Sequence, residues 1–204
     1  MKAVDWDRRY EAAELVWTPR PNRFLVEEVA QLLPGTALDL ACGEGRHAVW
    51  LAELGWRATG VDWSAVAIEK GRQLAAARGV SVDWAVADLN DWQPAGEAWD
   101  LVLVFYLQVE PEERRPMLAK AADAVAPGGT FLLVGHDTRN LAGGYGGPKT
   151  DRVLYTPEDI VADLDGSGLA IVRAEAVSRP VETPEGERIA IDALVRASRA
   201  PRAS

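Results

Sequence analysis

Residues 37–62 read ALDLACGEGRHAVWLAELGWRATGVD: a short apolar run, a turn with two glycines, a helical stretch and a second apolar run. This order predicts a strand, a helix and a parallel strand joined by tight turns. Gly43 and Gly45 permit the backbone conformations that a tight turn from a strand into a helix requires. The feature therefore restricts the chain to α/β folds that bind ligands at the carboxyl ends of parallel strands.

Short apolar runs alternate with helical segments through the middle of the chain, which is the pattern of βαβ units and a mostly parallel sheet. The predicted strands lie at 36–41, 57–61, 81–86, 99–105 and 130–135, and the predicted helices at 45–55, 64–78 and 111–126. Two further β-like runs, 169–181 and 187–197, flank a short turn and predict an antiparallel hairpin at the C-terminus. The sequence therefore predicts an α/β protein with a late reversed strand.

Composition and charge narrow the classes of function. The formal net charge is -9 and no long run of lysines or arginines is present, which disfavours a nucleic-acid partner. Cys42 is the only cysteine, so an intrachain disulfide and a thiolate zinc cluster are excluded and a reducing compartment is expected. The longest apolar run, residues 101–107, is far shorter than a membrane span. We therefore expect a cytoplasmic protein with no membrane partner.

The glycine turn allows two interpretations of the ligand. Residues 43–48, Gly-Glu-Gly-Arg-His-Ala, satisfy the G-x-G-x-x-A pattern, and Asp62 lies where a ribose-binding acid is expected, which favours an NAD(P)-dependent oxidoreductase. Asp39, in the preceding strand, argues against a dinucleotide, because its carboxylate would repel a pyrophosphate and attract an ammonium or sulfonium group. S-adenosylmethionine is an adenosine derivative that carries both cations, so it fits this turn better.

Five short motifs in sequence order carry a family resemblance. They are Asp39-x-x-x-Gly43-x-Gly45, Asp62 at the end of strand two, Ala-Asp-Leu at 87–89, Trp-Asp-Leu-Val at 99–102 and Pro-Gly-Gly at 127–129. Together they resemble the class I S-adenosylmethionine-dependent methyltransferases of the small-molecule type, and the N-terminal Trp-Asp-Arg-Arg-Tyr is similar to members of the tellurite-resistance type. The chain departs from the family in having Ala41-Cys42 where Gly-Cys or Gly-Ser is frequent.

The resemblance implies a Rossmann-like, doubly wound, mostly parallel seven-stranded α/β sheet with an antiparallel C-terminal strand, formed by the 204 residues as one methyltransferase domain. Residues 1–33 would form helices that cover the cofactor, and residues 36–135 would form its binding core. Residues 136–156, which are rich in glycine, would form a substrate lid, and residues 157–198 a C-terminal helix and hairpin.

By the same resemblance, one group of residues would hold the methionine part of S-adenosylmethionine. Asp39 and the carbonyl of Ala41 would bind the amine, while Gly43 and Gly45 would let the backbone approach the ligand. Arg46 would pair with the carboxylate, although a solvated position on the helix is the alternative. Further contacts to this part, each with simple packing as the alternative, are implied for Trp6, Tyr10, Val104 and Phe105.

A second group would hold the adenosine part. The carboxylate of Asp62 would accept hydrogen bonds from the two adjacent ribose hydroxyls. Trp63 would lie against the adenine face, with packing as an equal alternative. Asp88 would accept a hydrogen bond from the adenine amine, and the backbone N–H of Leu89 would reach a ring nitrogen.

Catalysis and acceptor binding are expected from the ends of strands four and five. Methyl transfer from a sulfonium is an in-line displacement, so a base is needed only if the nucleophilic atom of the acceptor carries a proton. His136 is the candidate base, with Asp137 or Tyr106 as second choices, and Tyr106 would also face the acceptor. Tyr145 would contact the acceptor from the glycine-rich loop, whereas His47 is expected to pack.

Three functions are consistent with the sequence. They are S-adenosylmethionine-dependent methyl transfer to a small-molecule acceptor, NAD(P)-dependent oxidation or reduction, and binding of S-adenosylmethionine without turnover. The first is favoured because of Asp39, and the acidic composition without a separate recognition domain favours a small acceptor. No metal is predicted, and the sequence gives neither the identity of the acceptor nor the oligomeric state.

Overall fold

The computed structural model describes residues 7, 8, 10–12, 18–94 and 98–202. Its strands are, in chain order, β1 (Thr36–Leu40), β2 (Arg57–Asp62), β3 (Asp83–Val86), β4 (Trp99–Phe105), β5 (Val125–His136), β6 (Leu169–Thr183) and β7 (Gly186–Arg199). They form one seven-stranded sheet in the order β3-β2-β1-β4-β5-β7-β6. β1 to β5 pair in parallel, and β7 runs antiparallel to β5 and β6. The predicted fold class is therefore confirmed.

Helices connect the strands and lie on both faces of the sheet. They are α1 (Arg23–Val29), α2 (Arg46–Glu53), α3 (Ala65–Arg78), α4 (Pro111–Ala124), α5 (Asn140–Gly143) and α6 (Pro157–Asp163), with a 3-10 turn at Asp151–Val153. Their starts follow local chemistry, since the Ser64 side chain accepts a hydrogen bond from the Ala67 N–H and Pro111 occupies the first turn of α4. Thr156 and Asp159 form a reciprocal capping box on α6.

The boundaries differ from the predicted ones mainly in β5. Residue 125 already pairs with Trp99, and a register shift between Trp99 and Leu101 absorbs the Pro-Gly-Gly segment before the regular pairing begins at Thr130. The strand therefore begins five residues before the predicted position, because an apolar pattern does not reveal pairing across such an irregularity.

The core has two layers, one on each face of the sheet. In β4, Val102 and Val104 pack on one face, while Leu101, Leu103 and Phe105 pack on the other. This alternation follows from the two-residue period of a strand, and burial on both faces explains why β4 reads as a continuous apolar run.

Two features are absent from the described residues. None of the helices in the described residues is long and apolar enough to cross a membrane. The same residues contain no group of three or more histidine, cysteine or acidic side chains arranged to hold a metal ion.

Candidate functional site

The order of the strands reverses between β1 and β4, which opens a crevice at their carboxyl ends. The glycine turn lies at this crevice. Gly43 and Gly45 have φ values of 54° and 72°, in the left-handed region that glycine adopts without strain. Ala41, which directly follows β1, also has a left-handed φ of 55°, and Tyr106, which directly follows β4, has one of 57°. Non-glycine residues in this conformation cluster at functional sites.

Asp62 joins the end of β2 to the glycine turn. Its Oδ2 accepts a hydrogen bond from the Gly43 N–H at 2.8 Å, and its Oδ1 accepts one from the Ser64 N–H at 2.9 Å. The side chain is buried, and burial raises its pKa although these backbone hydrogen bonds oppose the rise. Because each carboxylate oxygen has a second lone pair, Asp62 retains acceptor capacity for two ligand hydroxyls.

The two glycines of the turn are required for different reasons. A Cβ on Gly43 would lie 2.8 Å from the hydroxyl of Tyr10, a buried residue of the N-terminal segment. A Cβ on Gly45 would lie 2.2 Å from the indole of Trp84 on β3. The absence of a side chain at Gly45 is thus explained by packing against Trp84, whereas Gly43 faces the segment expected to cover the ligand.

Asp39 is the most unusual group in the crevice. It is 1% exposed, and neither carboxylate oxygen forms a well-aligned hydrogen bond with a described residue. Burial raises its pKa to about 7, although the nearby Arg46 guanidinium and the backbone N–H of Ala48 lower it. A buried carboxylate without well-aligned donors is costly, and a cation that supplies hydrogen bonds would relieve the cost.

Arg46 and His47 begin α2 beside this carboxylate. Burial lowers the pKa of Arg46, while Tyr106 and Asp39 act in the opposite direction. Burial also lowers the pKa of His47 well below its usual value, and Arg46 adds to this effect. The His47 ring packs edge-on against Phe105, with the ring centroids 4.6 Å apart. The expectation that His47 packs is confirmed.

The residues predicted to bind adenine lie along the ends of β2 and β3. Trp63 is half-buried and packs on the core, and Leu89 is buried. Asp88 is exposed, and its Oδ1 accepts hydrogen bonds from the backbone and side chain of Asn90 at 2.9 and 3.0 Å. A small, mostly apolar cavity adjoins this region, lined by Leu40, Leu89, Trp92, Pro94, Val104, Leu107, Met117, Leu118 and Lys120.

A second polar cluster lies at the ends of β4, β5 and the C-terminal hairpin. The Tyr106 hydroxyl accepts a hydrogen bond from Asn22 Nδ2 at 2.9 Å and donates one to Asp192 Oδ2 at 2.9 Å. Arg179 Nε donates to the same Asp192 oxygen at 2.7 Å, and His136 Nδ1 lies 3.2 Å from Asp192 Oδ1. The His136 and Tyr106 ring centroids are 5.0 Å apart. The two predicted catalytic residues are therefore brought together.

Asp192 and Arg179 were not predicted from the sequence. Asp192 interrupts the apolar run Ile-Ala-Ile-Asp-Ala-Leu-Val, and an acid in such a run signals a buried polar group with a specific partner. The sequence does not identify that partner, because the partner depends on the register in which β7 pairs with β5. Arg179, in the partly polar stretch before Pro180, carried no comparable signal.

The glycine-rich loop after β5 is folded against β7. Asn140 Oδ1 accepts a hydrogen bond from the Ile191 N–H at 2.8 Å, and Asn140 Nδ2 donates to the Gly146 carbonyl at 2.9 Å. Tyr145 is exposed and borders an open groove formed with the turn of the hairpin. Gly147, in contrast, packs close to the His136 ring.

The remaining predicted contacts are placed as follows. Val104 is 1% exposed and Phe105 is 5% exposed, so both lie in the core directly below the crevice. The Lys70 ammonium donates a hydrogen bond to the carbonyl of Tyr10 at 2.5 Å, which anchors this part of the N-terminal segment to α3. Trp6 lies outside the described residues, as do parts of the predicted N-terminal helices.

The segment that contains these motifs matches a known protein family. Residues 37–129 match the family described as "Methyltransferase domain". A ubiquinone biosynthesis O-methyltransferase of Methylobacterium sp. (strain 4-46) is 33% identical over 155 residues, which are 70% of this chain and 62% of that protein. The chain thus spans less than two thirds of the length of this relative.

Solved structures show the same fold. One from work on the conversion of a disulfide bond into a thioacetal group during echinomycin biosynthesis has a TM-score of 0.79 at 23% identity, covering 98% of this chain and 94% of that one. TehB from Haemophilus influenzae has a TM-score of 0.70 at 16% identity, and the match covers 88% of this chain and 62% of TehB. At these identities the likeness establishes the architecture.

Proposed function

We propose that this chain, which carries a class I S-adenosylmethionine-dependent methyltransferase domain, transfers a methyl group from S-adenosylmethionine to a small-molecule acceptor. The observation that supports this most directly is the buried Asp39 carboxylate at the crevice, which has no well-aligned hydrogen-bond donor among the described residues. A cationic amine would donate hydrogen bonds to it and compensate its charge, and a sulfonium nearby would add to the charge compensation, whereas a diphosphate would add repulsion. The match to a methyltransferase family also weighs against the oxidoreductase alternative.

The residues around the glycine turn fit the other parts of this cofactor. Asp62 has acceptor capacity left for the ribose hydroxyls, and Arg46 supplies a half-buried positive charge beside Asp39 for the carboxylate of the ligand. Gly43 keeps the backbone free of a side chain on the side that faces Tyr10. When bound, S-adenosylmethionine supplies a methyl group on a positively charged sulfur. This chain then needs only to bind the two reactants, orient them and exclude water.

A small acceptor is favoured over a polynucleotide. The net charge of -9 disfavours contact with phosphate backbones. The named substrate pathway of the Methylobacterium relative, ubiquinone biosynthesis, is also one of small molecules. His136, at the end of β5, is the candidate general base for an acceptor that carries a proton on its nucleophilic atom.

Calorimetric titration tests the cofactor assignment. We expect the protein to bind S-adenosylmethionine and not NAD, and we expect Asp39→Asn to weaken binding by about tenfold or more because a charge-assisted contact is lost. Asp100→Asn is the control. The Asp100 carboxylate accepts a hydrogen bond from the Thr36 N–H at 2.7 Å, and it lies at the amino ends of the strands, away from the crevice. Binding of NAD, or equal loss in both variants, would remove the basis of the proposal.

Turnover requires a separate experiment. Release of S-adenosylhomocysteine would be measured with a panel that contains hydroxyl, thiol, amine and carboxylate acceptors and a ribosomal RNA. Turnover with a small molecule supports the proposal, whereas turnover with the RNA alone would contradict the acceptor class. Cofactor binding with silence across the panel would favour the alternative of a binding protein without catalysis.

A further inference from the structure

We infer that Arg179 binds a carboxylate group of the acceptor, so that the acceptor of this site is an organic acid with an apolar body. This inference rests on the proposed function and names the class of its acceptor. It is carried by the position of the C-terminal hairpin beside the crevice, by the apolar neighbours of Arg179 on one face of that hairpin, and by the burial of the acid with which Arg179 pairs.

The C-terminal hairpin extends past the carboxyl ends of the parallel strands. β5 ends at His136, whose partner on β7 is Asp192. The pairing of β6 with β7 continues beyond this point to Thr183 and Gly186. Residues 186–191 therefore pair within the sheet with β6 alone, over about 20 Å at the usual rise per residue. Because the crevice opens at this edge of the sheet, the extension, which we call the hairpin arm, lies beside it.

Arg179 lies on the face of the hairpin arm that is turned toward the end of β4. Its guanidinium carbon is 5.7 Å from the centroid of the Tyr106 ring. Val177 and Val181, two residues to either side on β6, share this face and are half-buried. A ligand bound along this face would therefore meet one positive charge between two apolar side chains.

The burial of Asp192 leaves Arg179 as the charged group that a ligand meets first. Arg179 Nε donates a hydrogen bond to Asp192 Oδ2 at 2.7 Å, and Nη2 lies 3.5 Å from Oδ1. The Asp192 side chain is 0% exposed, whereas that of Arg179 is 22% exposed. Among the described residues, the well-aligned hydrogen bonds of this guanidinium all go to Asp192, and the Tyr106 hydroxyl lies nearby. A guanidinium carries five N–H donors, so donors remain for a second carboxylate.

The other guanidinium of the crevice has a separate role. The charges of Arg46 and Arg179 act on one another, so both belong to the same charged region. The proposed function assigns Arg46 to the carboxylate of the cofactor, which leaves Arg179 for the acceptor. Asp39 is 1% exposed and Asp192 is fully buried, so the charged groups nearer to solvent are the two cations. An ammonium on the acceptor would be repelled here, and a carboxylate would be attracted.

A carboxylate fits this site better than a phosphate does. The planar fork of one guanidinium matches a carboxylate, which can accept two parallel hydrogen bonds. Asp192 already compensates part of the charge of Arg179, so a group with a single negative charge is better matched than one with two. The formal net charge of -9 acts in the same direction, because it repels a highly charged anion more strongly.

A set of probes with one skeleton tests the class of the acceptor. They are phenylpropanoate, phenylpropanamide, phenylpropanol, phenylpropylamine and phenylethylphosphonate. Each is titrated with and without S-adenosylhomocysteine, and the backbone amide signals of Val177, Arg179 and Val181 report binding by NMR. We expect phenylpropanoate to bind at least about tenfold more tightly than the other four, because only the carboxylate matches the charge and the fork of the guanidinium.

Two arginine variants locate the site. Arg179→Gln removes the charge and the fork but keeps an amide donor for Asp192. We expect it to weaken the binding of phenylpropanoate by about tenfold or more and that of phenylpropanol by less than about twofold. Arg188→Gln is the control, because Arg188 is an exposed arginine of the same hairpin arm, paired with Val181. A merely structural role of Arg179 would instead weaken the binding of all probes alike.

Each outcome decides the inference. A wild-type protein that binds phenylpropanoate no more tightly than the amide or the alcohol, or that prefers the phosphonate, overturns it even if Arg179→Gln does not fold. Absence of phenylpropanoate binding up to about 10 mM overturns it as well, as does a loss of binding in Arg188→Gln equal to that in Arg179→Gln. If the preference for the carboxylate holds but calorimetry shows no binding of S-adenosylmethionine, the proposed function fails and the carboxylate site does not.

Discussion

Replacing Asp39 by asparagine is expected to stabilise the ligand-free protein at neutral and higher pH, although it weakens cofactor binding. Burial raises the pKa of Asp39 from 3.8 to about 7. Between these values the folded state keeps a proton that the unfolded state releases, so the free energy of unfolding falls as the pH rises and levels off above the folded-state pKa. Asparagine does not titrate, so the free energy of unfolding of the variant lacks this decrease with pH.

The magnitude follows from the two pKa values. The full effect corresponds to about 4 kcal/mol, and the part that falls between about pH 5 and about pH 8 is about 2.5 kcal/mol. Urea denaturation of both proteins, followed by the fluorescence of the eight tryptophans, would measure the difference at each pH. We expect the gap between Asp39→Asn and the wild-type protein to widen in favour of the variant over this range. A constant gap would show that Asp39 titrates at an ordinary pKa in the crevice.

We expect Asp39 also to couple cofactor binding to proton release. Near its pKa of about 7, Asp39 is about half protonated in the free protein. A cationic ligand that contacts the carboxylate would drive it to the ionised form, so binding at this pH would release about half a proton. Calorimetry in buffers with different ionisation enthalpies measures the number of protons released on binding. The Asp39→Asn variant is the control, because it has no carboxyl proton to release at this position.

Three other changes probe the crevice. Gly45→Ala is expected to lower the free energy of unfolding by at least about 2 kcal/mol, because the new Cβ would meet the Trp84 indole at 2.2 Å, and thermal unfolding measures it. Asp62→Ala is expected to abolish binding of S-adenosylmethionine in calorimetry while the far-ultraviolet circular dichroism stays that of the wild-type protein. Tyr106→Phe is expected to cost about 1–3 kcal/mol in urea denaturation, since it removes a hydrogen bond to the buried carboxylate of Asp192, and an unchanged midpoint would contradict that contact.

The parts of the site that follow from one βαβ unit were predictable. Asp39 and Asp62 end neighbouring apolar runs, and parallel pairing of β1 with β2 places both at the same edge of the sheet. Gly43 lies between them in sequence, so its contact with Asp62 follows from the same local geometry. These relations span few residues and need no knowledge of distant pairings.

The parts that depend on long-range register were not predictable. Tyr106 and Asp192 are separated by 86 positions, and their contact requires both the insertion of β7 beside β5 and its exact pairing offset. A shift of one residue would point Asp192 to the other face of the sheet. The packing of Gly45 against Trp84 was also not predicted, because the position of Trp84 on β3 is not encoded near the turn.

Strained backbone occurs at two neighbouring strand ends that border the crevice. Ala41 and Tyr106 follow directly after the paired residues of β1 and β4, and both have left-handed φ values although neither is glycine. Each such residue costs about 1 kcal/mol, a cost that ordinary strand ends avoid. At Ala41 the turn brings Gly43 to the carboxylate of Asp62, and at Tyr106 it accompanies a hydroxyl bonded to Asp192. The fold thus places strained backbone at the two neighbouring strand ends where the proposed cofactor and acceptor would meet.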